Sequence, residues 1–429
     1  MKIAIIGSGI SGLACAHALG RTPGRQVTLF EAANYLGGHS NTVDVSVDGV
    51  RHPVDTGFLV FNHRTYPNLV QLFAELDVPT APSEMSFSVS LGGQIEWAGT
   101  SLATVFAQPA NLLRPRFLAM LRDILRFNRA AAAAATAEAD SLTLGEVLQR
   151  DRYSEGFRHW YLLPMAAAIW SCPTQAMLSY PFATFARFCH NHGLLQLSDR
   201  PQWYTVAGGS REYVRRIAMA MDDVRLATPV TQVRRAAAGV LVHSSVRGRE
   251  TIERFDHVVL ACHSDQALAM IEAPTAAERS ILGAIGYQPN QAWLHTDRAL
   301  LPRRKRVWAA WNYLSGPPEG AGAQAPVAVS YLINKLQPVP FSSPVVLTLN
   351  PPVPPRDDSV LARFDYAHPV FDQAAVAAQA RLEQIQGTER LWFAGAWTGY
   401  GFHEDGLKSG LAVARRLDTG SAARFRAAA

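Results

Sequence analysis

Apolar and polar positions follow two regimes along this chain. Residues 2–6 form a short apolar run closed by Gly7, the pattern of a buried parallel strand. Residues 10–19 are small and apolar and predict a helix, which Gly20 and the Pro23-Gly24 pair end. Residues 26–30 predict a second strand, so the first 30 residues read as one β-α-β unit. From about 60 to 200 aromatic residues, arginines and helix-like periodicity dominate, as in residues 117–127. The nearly all-alanine stretch 130–136 predicts a surface helix. Strand-like runs return from 205 to 265, and from 285 to 350 short apolar runs alternate with Pro and Gly, which predicts an antiparallel sheet. A proline-rich loop covers 351–355. A strand at 391–394, a glycine-rich turn and a helix from 406 to 417 close the chain. There is no internal repeat. The fold class is α/β, with helical and aromatic material inserted between pieces of β-α-β structure.

Composition narrows the function. At roughly 150 residues per domain, 429 residues make two to three domains, or two interleaved ones. With 48% hydrophobic and 17% charged residues the chain is not disordered. No apolar run reaches the roughly 18 residues that a bilayer-spanning helix needs. A net charge of +5, from 40 basic and 35 acidic residues, falls short of a nucleic-acid footprint. The run Arg303-Arg304-Lys305-Arg306 predicts a solvated turn. Four scattered cysteines, Cys15, Cys172, Cys189 and Cys262, include no Cys-x-x-Cys pair, so neither a metal site nor a disulfide framework is expected. The first residues lead straight into a glycine motif without a separate apolar leader segment. A cytoplasmic, reducing setting is the default expectation.

The sharpest signal is Gly7-Ser8-Gly9-Ile10-Ser11-Gly12, which follows a strand and opens a helix with Ile10 and Ser11. Gly7 permits the tight turn, Gly9 lets backbone approach a pyrophosphate, and Gly12 lets helix and strand pack closely. Glu31 ends the second strand, 19 residues after Gly12, where a carboxylate accepts hydrogen bonds from ribose hydroxyls. Strand, glycines, helix, strand and acid in this order specify a dinucleotide site.

Beyond Glu31 and Ala32, the pair Gly37-Gly38 followed by His39 resembles the FAD fingerprint of the flavin amine oxidase and phytoene desaturase superfamily. The resemblance continues in the Asp55-Thr56-Gly57-Phe58 segment, in Gly208-Gly209, and in Val230, whose backbone it implies at the adenine. It is most specific at 391–410, where Phe393-Ala394-Gly395 leaves a strand and a glycine-rich loop enters a helix through Asp405, Gly406 and Ser409. A bacterial amine oxidase-like subgroup has a similar Trp-x-Gly-Tyr-Gly-Phe-His-Glu-Asp-Gly run, and that likeness spans almost the whole chain. Many members carry an acid where this chain has Ala396, and this sequence has His39 where they often have Arg. No cysteine follows Ser409, so the implied FAD is noncovalent. The resemblance implies a Rossmann-like FAD-binding domain from 1–60, 205–270 and 375–429. A mixed helical and antiparallel-sheet substrate domain takes 61–204 and 271–374. His39 is read either as a donor to the diphosphate or as a solvated loop histidine, and Asp55 either braces its loop or touches cofactor.

On the reaction side no Ser-His-Asp order or metal-spaced histidine pair appears; Cys172, Cys189-His190-Asn191-His192 and Cys262-His263 read as packing. Candidate substrate residues are Phe61, Asn62, Trp170, Trp311, Asn312, Tyr313, Tyr331 and Asn334. Their aromatic and amide character suits an apolar substrate. His403 and Glu404 are candidate catalytic groups beside the flavin, and Lys335 matches the lysine that amine oxidases place near the flavin N5, or is a solvated strand-end lysine. Arg114, Arg116, Arg122, Arg126 and Arg129 interleave with leucines and phenylalanines, as in a helix packed on the substrate domain or one lying on an anionic membrane. The implied function is FAD-dependent oxidation or desaturation of an apolar substrate, a fatty-acyl lipid, by hydride transfer to flavin. The alternatives are an amine oxidase for small amines, a non-redox flavoenzyme such as a sugar mutase, which would need an arginine pair for diphosphate, and a flavin-bound partner protein without turnover. Nothing in the sequence specifies an oligomeric state.

Overall fold

The computed structural model describes residues 1–136, 142–194, 196, 200–315 and 328–426. Its centre is a five-stranded parallel sheet built from β1 (Lys2–Ile6), β2 (Gln26–Phe30), β3 (Asp223–Arg225), β4 (His257–Leu260) and β5 (Leu391–Phe393), in the order β3-β2-β1-β4-β5. Ile3, the first wholly buried residue of β1, pairs with Val27 on one side and His257 on the other. Ile3, Ala4 and Ile5 are fully buried, as an apolar central strand covered on both faces requires. The strands come from three separated stretches of chain, so the discontinuity expected from the hydrophobic pattern is present.

Helix α1 (Ile10–Gly20) crosses from β1 to β2, and helix α2 (His403–Arg426) packs against it. Both contacts are unusually close. A Cβ on Gly12 would stand 1.9 Å from the Gly7 carbonyl oxygen, and a Cβ on Gly410 would stand 2.1 Å from the Ser11 carbonyl oxygen. Only hydrogen fits at either place.

A second layer is a seven-stranded sheet in the order 360–370, 286–295, 346–349, 328–332, 311–315, 87–91, 95–98. Its pairs are antiparallel except 311–315 with 87–91. The antiparallel expectation for 285–350 therefore holds, with residues 316–327 of that stretch outside the described set. The helical insertion runs through Pro115–Thr136, Leu163–Trp170 and Phe182–Asn191. The helix over 406–417 is longer than its pattern predicted, because Glu404 and Asp405 start it one turn earlier. No described helix is long and apolar enough to cross a membrane.

Gly410→Ala tests the helix contact. Overpacking of this kind costs about 1–3 kcal/mol, so the variant should denature at a lower midpoint than the parent. An unchanged midpoint would mean that α1 and α2 can move apart freely.

Candidate active site

Three glycine-bearing turns meet at the carboxyl edge of the parallel sheet. Gly7 leaves β1 with φ +104°, and a Cβ there would lie 2.6 Å from the Ala261 carbonyl oxygen. Gly9 caps α1 without any side-chain acceptor, and the first turn of α1 carries no acid. Nothing lies within 4 Å of a Cβ built on Gly9. The positive pole of α1 thus has no protein anion of its own. Glu31 accepts from Ser8 N at 2.9 Å, from Ser8 Oγ, and from Ala33 N at 2.8 Å. Ser8 Oγ accepts from Gly37 N at 3.1 Å, so the acid also ties down the second glycine pair.

These turns line one cavity of about 720 Å³. Its dinucleotide end is bounded by Gly7, Gly9, Ile10, Ser11, Glu31, Ala32 and Val230, and its middle by Gly37, Gly38, His39, Gly57, Phe58, Gly395 and His403. The same cavity continues without a break to Trp311 and Tyr331. Those two rings stand opposite each other across neighbouring strands, 4.9 Å apart and edge to face. Leu347, paired with Tyr331 on the next strand, extends the row.

Several expected site residues lie elsewhere. Glu404 is buried, and its two oxygens accept from Asn68 N at 3.0 Å, Asn68 Nδ2 at 2.6 Å and Leu69 N at 3.0 Å. It closes the first turn of the helix Pro67–Glu75 and does not face the cavity. Asp405 accepts from Tyr400 N at 3.1 Å and Phe402 N at 3.0 Å, so it braces the loop before α2 and is not part of the cavity lining. Lys335 pairs with Glu84 at 2.8 Å at the surface. Asn334 donates to Phe341 O and Ser343 O and accepts from Val345 N, holding a turn.

Asn62 accepts from Arg64 N and Thr65 N at 2.9 Å. Phe61 is buried against Phe73, 5.2 Å away. Asn312 lies on the opposite face of its strand from Trp311 and is consumed by Ser88, Ala309 and Ser330. Tyr313 is buried two residues along from Trp311, outside the lining. Trp170 stands behind the wall, 4.6 Å from Phe188, and donates to Tyr400 O at 3.3 Å. Gly12, Gly406 and Ser409 also sit behind it. A Cβ on Gly406 would meet Ile10 Cγ2 at 2.8 Å, and Ser409 Oγ accepts from Gly395 N at 2.9 Å. Asp55, left open between two roles, braces. It accepts from Ser210 N and Oγ, Thr42 Oγ1 and Gln337 Nε2, and its burial pushes its carboxyl up to about 6.

Five histidines reach the cavity: His39, His192, His263, His368 and His403. Burial holds His403 at about 3 and His368 at about 4, and puts His39 well below the usual value, with its histidine neighbours adding to the effect. His403 stacks on Phe58 at 3.8 Å, and its Nε2 lies 2.9 Å from Tyr213 Oη. His39 stacks on Tyr366 at 4.8 Å, and its buried Nε2 has no hydrogen-bond partner among the described residues. That orphan atom, in the cavity wall beside the glycine turns, fits a cofactor oxygen. Glu31 is the one charged residue among the described lining.

The lining also contains residues that no motif pointed to, among them Met85, Ile169, Phe188, Leu194, Trp203 and Leu349. Phe188 and His192 lie four residues apart on a predicted helical stretch. Helical periodicity alone does not tell an inner face toward a cavity from one toward the core. Tyr366 and His368 share one face of the strand 360–370, a period-two signal present in the sequence.

A glycine turn from strand to helix, an acid on the next strand and an apolar chamber continuous with both define a dinucleotide-dependent enzyme. The chain belongs to the flavin containing amine oxidoreductase family, whose model matches residues 10–339, and is an FAD-dependent oxidoreductase. It is similar in fold to a CLA-producing fatty acid isomerase from P. acnes, with a TM-score of 0.66 and 14% identity over 96% of this chain and 98% of that one. Cyclohexylamine oxidase from Brevibacterium oxydans gives 0.65 and 17% over 97% and 99%. Putrescine oxidase bound to putrescine gives 0.68 and 15% over 98% and 99%. No curated protein matches by sequence.

Gly9→Ala should leave the protein folded, because the new methyl meets no protein atom, yet lose FAD. Equilibrium dialysis of the variant should find weak or no cofactor; stoichiometric tight FAD would contradict the assignment of this turn. The histidines generate a pH prediction. Each is neutral when folded and takes a proton near pH 6.5 when unfolded. Stability they confer is complete above that pH and is lost as the pH falls toward their folded values. Asp55 and Asp405, both raised to about 6 by burial, act in the opposite sense and favour the folded state at low pH. The FAD-free protein's loss of thermal midpoint between about pH 7 and about pH 5 should shrink in His403→Gln. An equal or larger loss in that variant would refute a neutral His403.

Proposed function

We propose that this chain oxidises or desaturates an apolar substrate, a fatty-acyl lipid, with noncovalent FAD. The observation that carries the reading is the character of the wall beyond the glycine turns. Met85, Ile169, Phe188, Leu194, Trp203, Trp311, Tyr331, Leu347 and Leu349 line it, and no described lining residue there is a Lys, Arg, Asp or Glu. FAD, when bound, supplies the acceptor for a hydride from a substrate C–H bond.

The chain's own groups bind and exclude. Gly9 leaves room at the positive end of α1 for a diphosphate. Glu31 presents a carboxylate already ordered by Ser8 and Ala33, and His39 offers its Nε2. Cys262 is the cavity's one cysteine among the described residues, and burial pushes its thiol up to about 12, which keeps it protonated and a poor partner for a covalent flavin link. The apolar chamber holds methylenes at about 0.8 kcal/mol each. It gives a cationic amine no carboxylate, since Glu31 is at the dinucleotide end and Glu404 and Asp405 are spent on backbone amides. An unpaired buried ion costs several kcal/mol. Among the described residues the chamber shows no arginine pair for a sugar diphosphate either.

The family fold serves a fatty acid isomerase and amine oxidases alike, so the fold does not choose between substrates, and the lipid reading rests on the wall. One observation favours a small amine as second reading: the Trp311–Tyr331 pair places two π systems on the wall, and such rings attract cations. An anaerobic comparison separates the two. The oxidised holoprotein is mixed with long-chain acyl lipids or with simple primary amines and the flavin absorption band is followed. Lipids should bleach it and amines should not. Rapid bleaching by an amine with none by lipid would overturn the lipid reading and leave an amine oxidase.

A further inference from the structure

Five large exposed leucines crowd into one short segment. Leu102, Leu112, Leu113, Leu118 and Leu125 are 78%, 52%, 86%, 45% and 45% exposed. Around them stand Arg114, Arg116, Arg122, Arg126 and Arg129. The one acid between 101 and 136 is Asp123, which is buried and taken by Ser154 N at 2.8 Å and by Arg122 and Arg126. The helix Pro115–Thr136 buries Phe117, Met120, Ile124, Phe127 and Ala131 against the rest of the protein. Leu118, Arg122, Leu125 and Arg129, spaced four, three and four apart, form a stripe on the side left to solvent.

The basic run at 303–306 joins this face. Arg303 lays its side chain against Gly93. From the other side Arg114 Nη1 and Gln108 Nε2 donate to Gln94 O at 3.0 and 3.2 Å. One β-turn therefore has the leucine segment on one flank and Arg303, Arg304, Lys305 and Arg306, all exposed, on the other. Arg304 also reaches Glu96 at 2.8 Å.

We infer that this face docks on an anionic phospholipid bilayer, with Leu112 and Leu113 entering the acyl boundary and the arginines lying among the headgroups. Leucines ringed by arginines match that interface in both parts: hydrocarbon takes the apolar tips, and long basic side chains keep their heads at the phosphates. A second copy of the chain is a poor occupant, because a two-fold contact would bring the same arginines against one another. Nucleic acid is a poor one too, since its phosphates offer nothing to the leucines. Attachment is peripheral, in keeping with the lack of a spanning helix among the described residues.

Sedimentation of the full-length holoprotein with vesicles tests this. Phosphatidylcholine vesicles doped with phosphatidylglycerol should carry the protein down, pure phosphatidylcholine should not, and added salt should weaken the binding about tenfold. The paired change Leu112→Ser and Leu113→Ser should reduce binding by about tenfold or more while the flavin spectrum stays that of the parent. If that variant fails to fold, Arg122→Glu with Arg129→Glu should give the same loss. Binding to neither vesicle, equal binding to both, or undiminished binding of the variants overturns the inference. So does a dimer in solution that the leucine changes convert to monomer, which would make a second copy the occupant. The readout is protein on vesicles, not turnover, so failure here leaves the flavin reading standing.

Discussion

Two backbone oxygens limit how the cofactor half of the molecule can be assembled. The Gly7 carbonyl faces Gly12, and the Ser11 carbonyl faces Gly410, each at a separation that only a hydrogen side chain tolerates. With these contacts made, α1 lies tight against β1, and α2 lies tight against α1. The turn after β1 and the loop after β5 then arrive at the same edge of the sheet, although nearly four hundred residues separate them in sequence. One cavity exists because these packings hold. If either helix were displaced by the width of a methyl group, Gly9 and Gly395 would no longer share a wall.

Within that cavity polarity is graded. At the sheet edge the wall is made of peptide groups, Ser8 and one carboxylate, suited to phosphate and ribose. Toward the seven-stranded sheet it becomes neutral, with histidines kept unprotonated by burial and then aromatic and aliphatic rings. A site built this way separates two tasks. Charge and hydrogen bonds hold the common cofactor, and shape and dispersion select the substrate. The absence of fixed charge from the described lining of the far half means that water, once displaced, has little to bring it back.

Much of the cofactor side was legible in the sequence because its chemistry is local. Gly7, Gly9, Glu31, Gly37, Gly38 and His39 lie where the strand-turn-helix pattern and the family resemblance put them, and so does the alternation of short strands after residue 285. The errors fall where a polar side chain is taken up by protein partners that its residue type does not announce, near or distant in sequence. Glu404 and Asp405 stand beside His403 in a glycine-rich loop, yet adjacent residues at the start of a helix point in different directions, and both carboxylates find backbone amides first. Asn62, Asn312 and Asn334 looked like ligand groups because amides are versatile. Each is consumed by a turn close to its own backbone, apart from the Asn312 contacts with Ser88 and Ser330 on the neighbouring strands. The strand period separates Trp311 from Asn312, a distinction available from the sequence once a cavity face is known, but not before. Phe188 and Leu194 carry no motif at all, and only the packing of the helical insertion brings them to the wall.

Glu404 has a mechanical meaning as well as a structural one. It belongs to the first turn of α2, at the cavity, and it grips the first turn of the helix Pro67–Glu75 through three hydrogen bonds to a buried carboxylate. Pulling the two apart would strand that charge, at a cost of several kcal/mol. The two helices therefore travel together, and this seam is no hinge. Breathing that admits a substrate is better borne by a wall without a buried carboxylate across its seam, such as the one where Phe188 stacks on Phe402 at 4.8 Å and Trp170 donates to Tyr400 O.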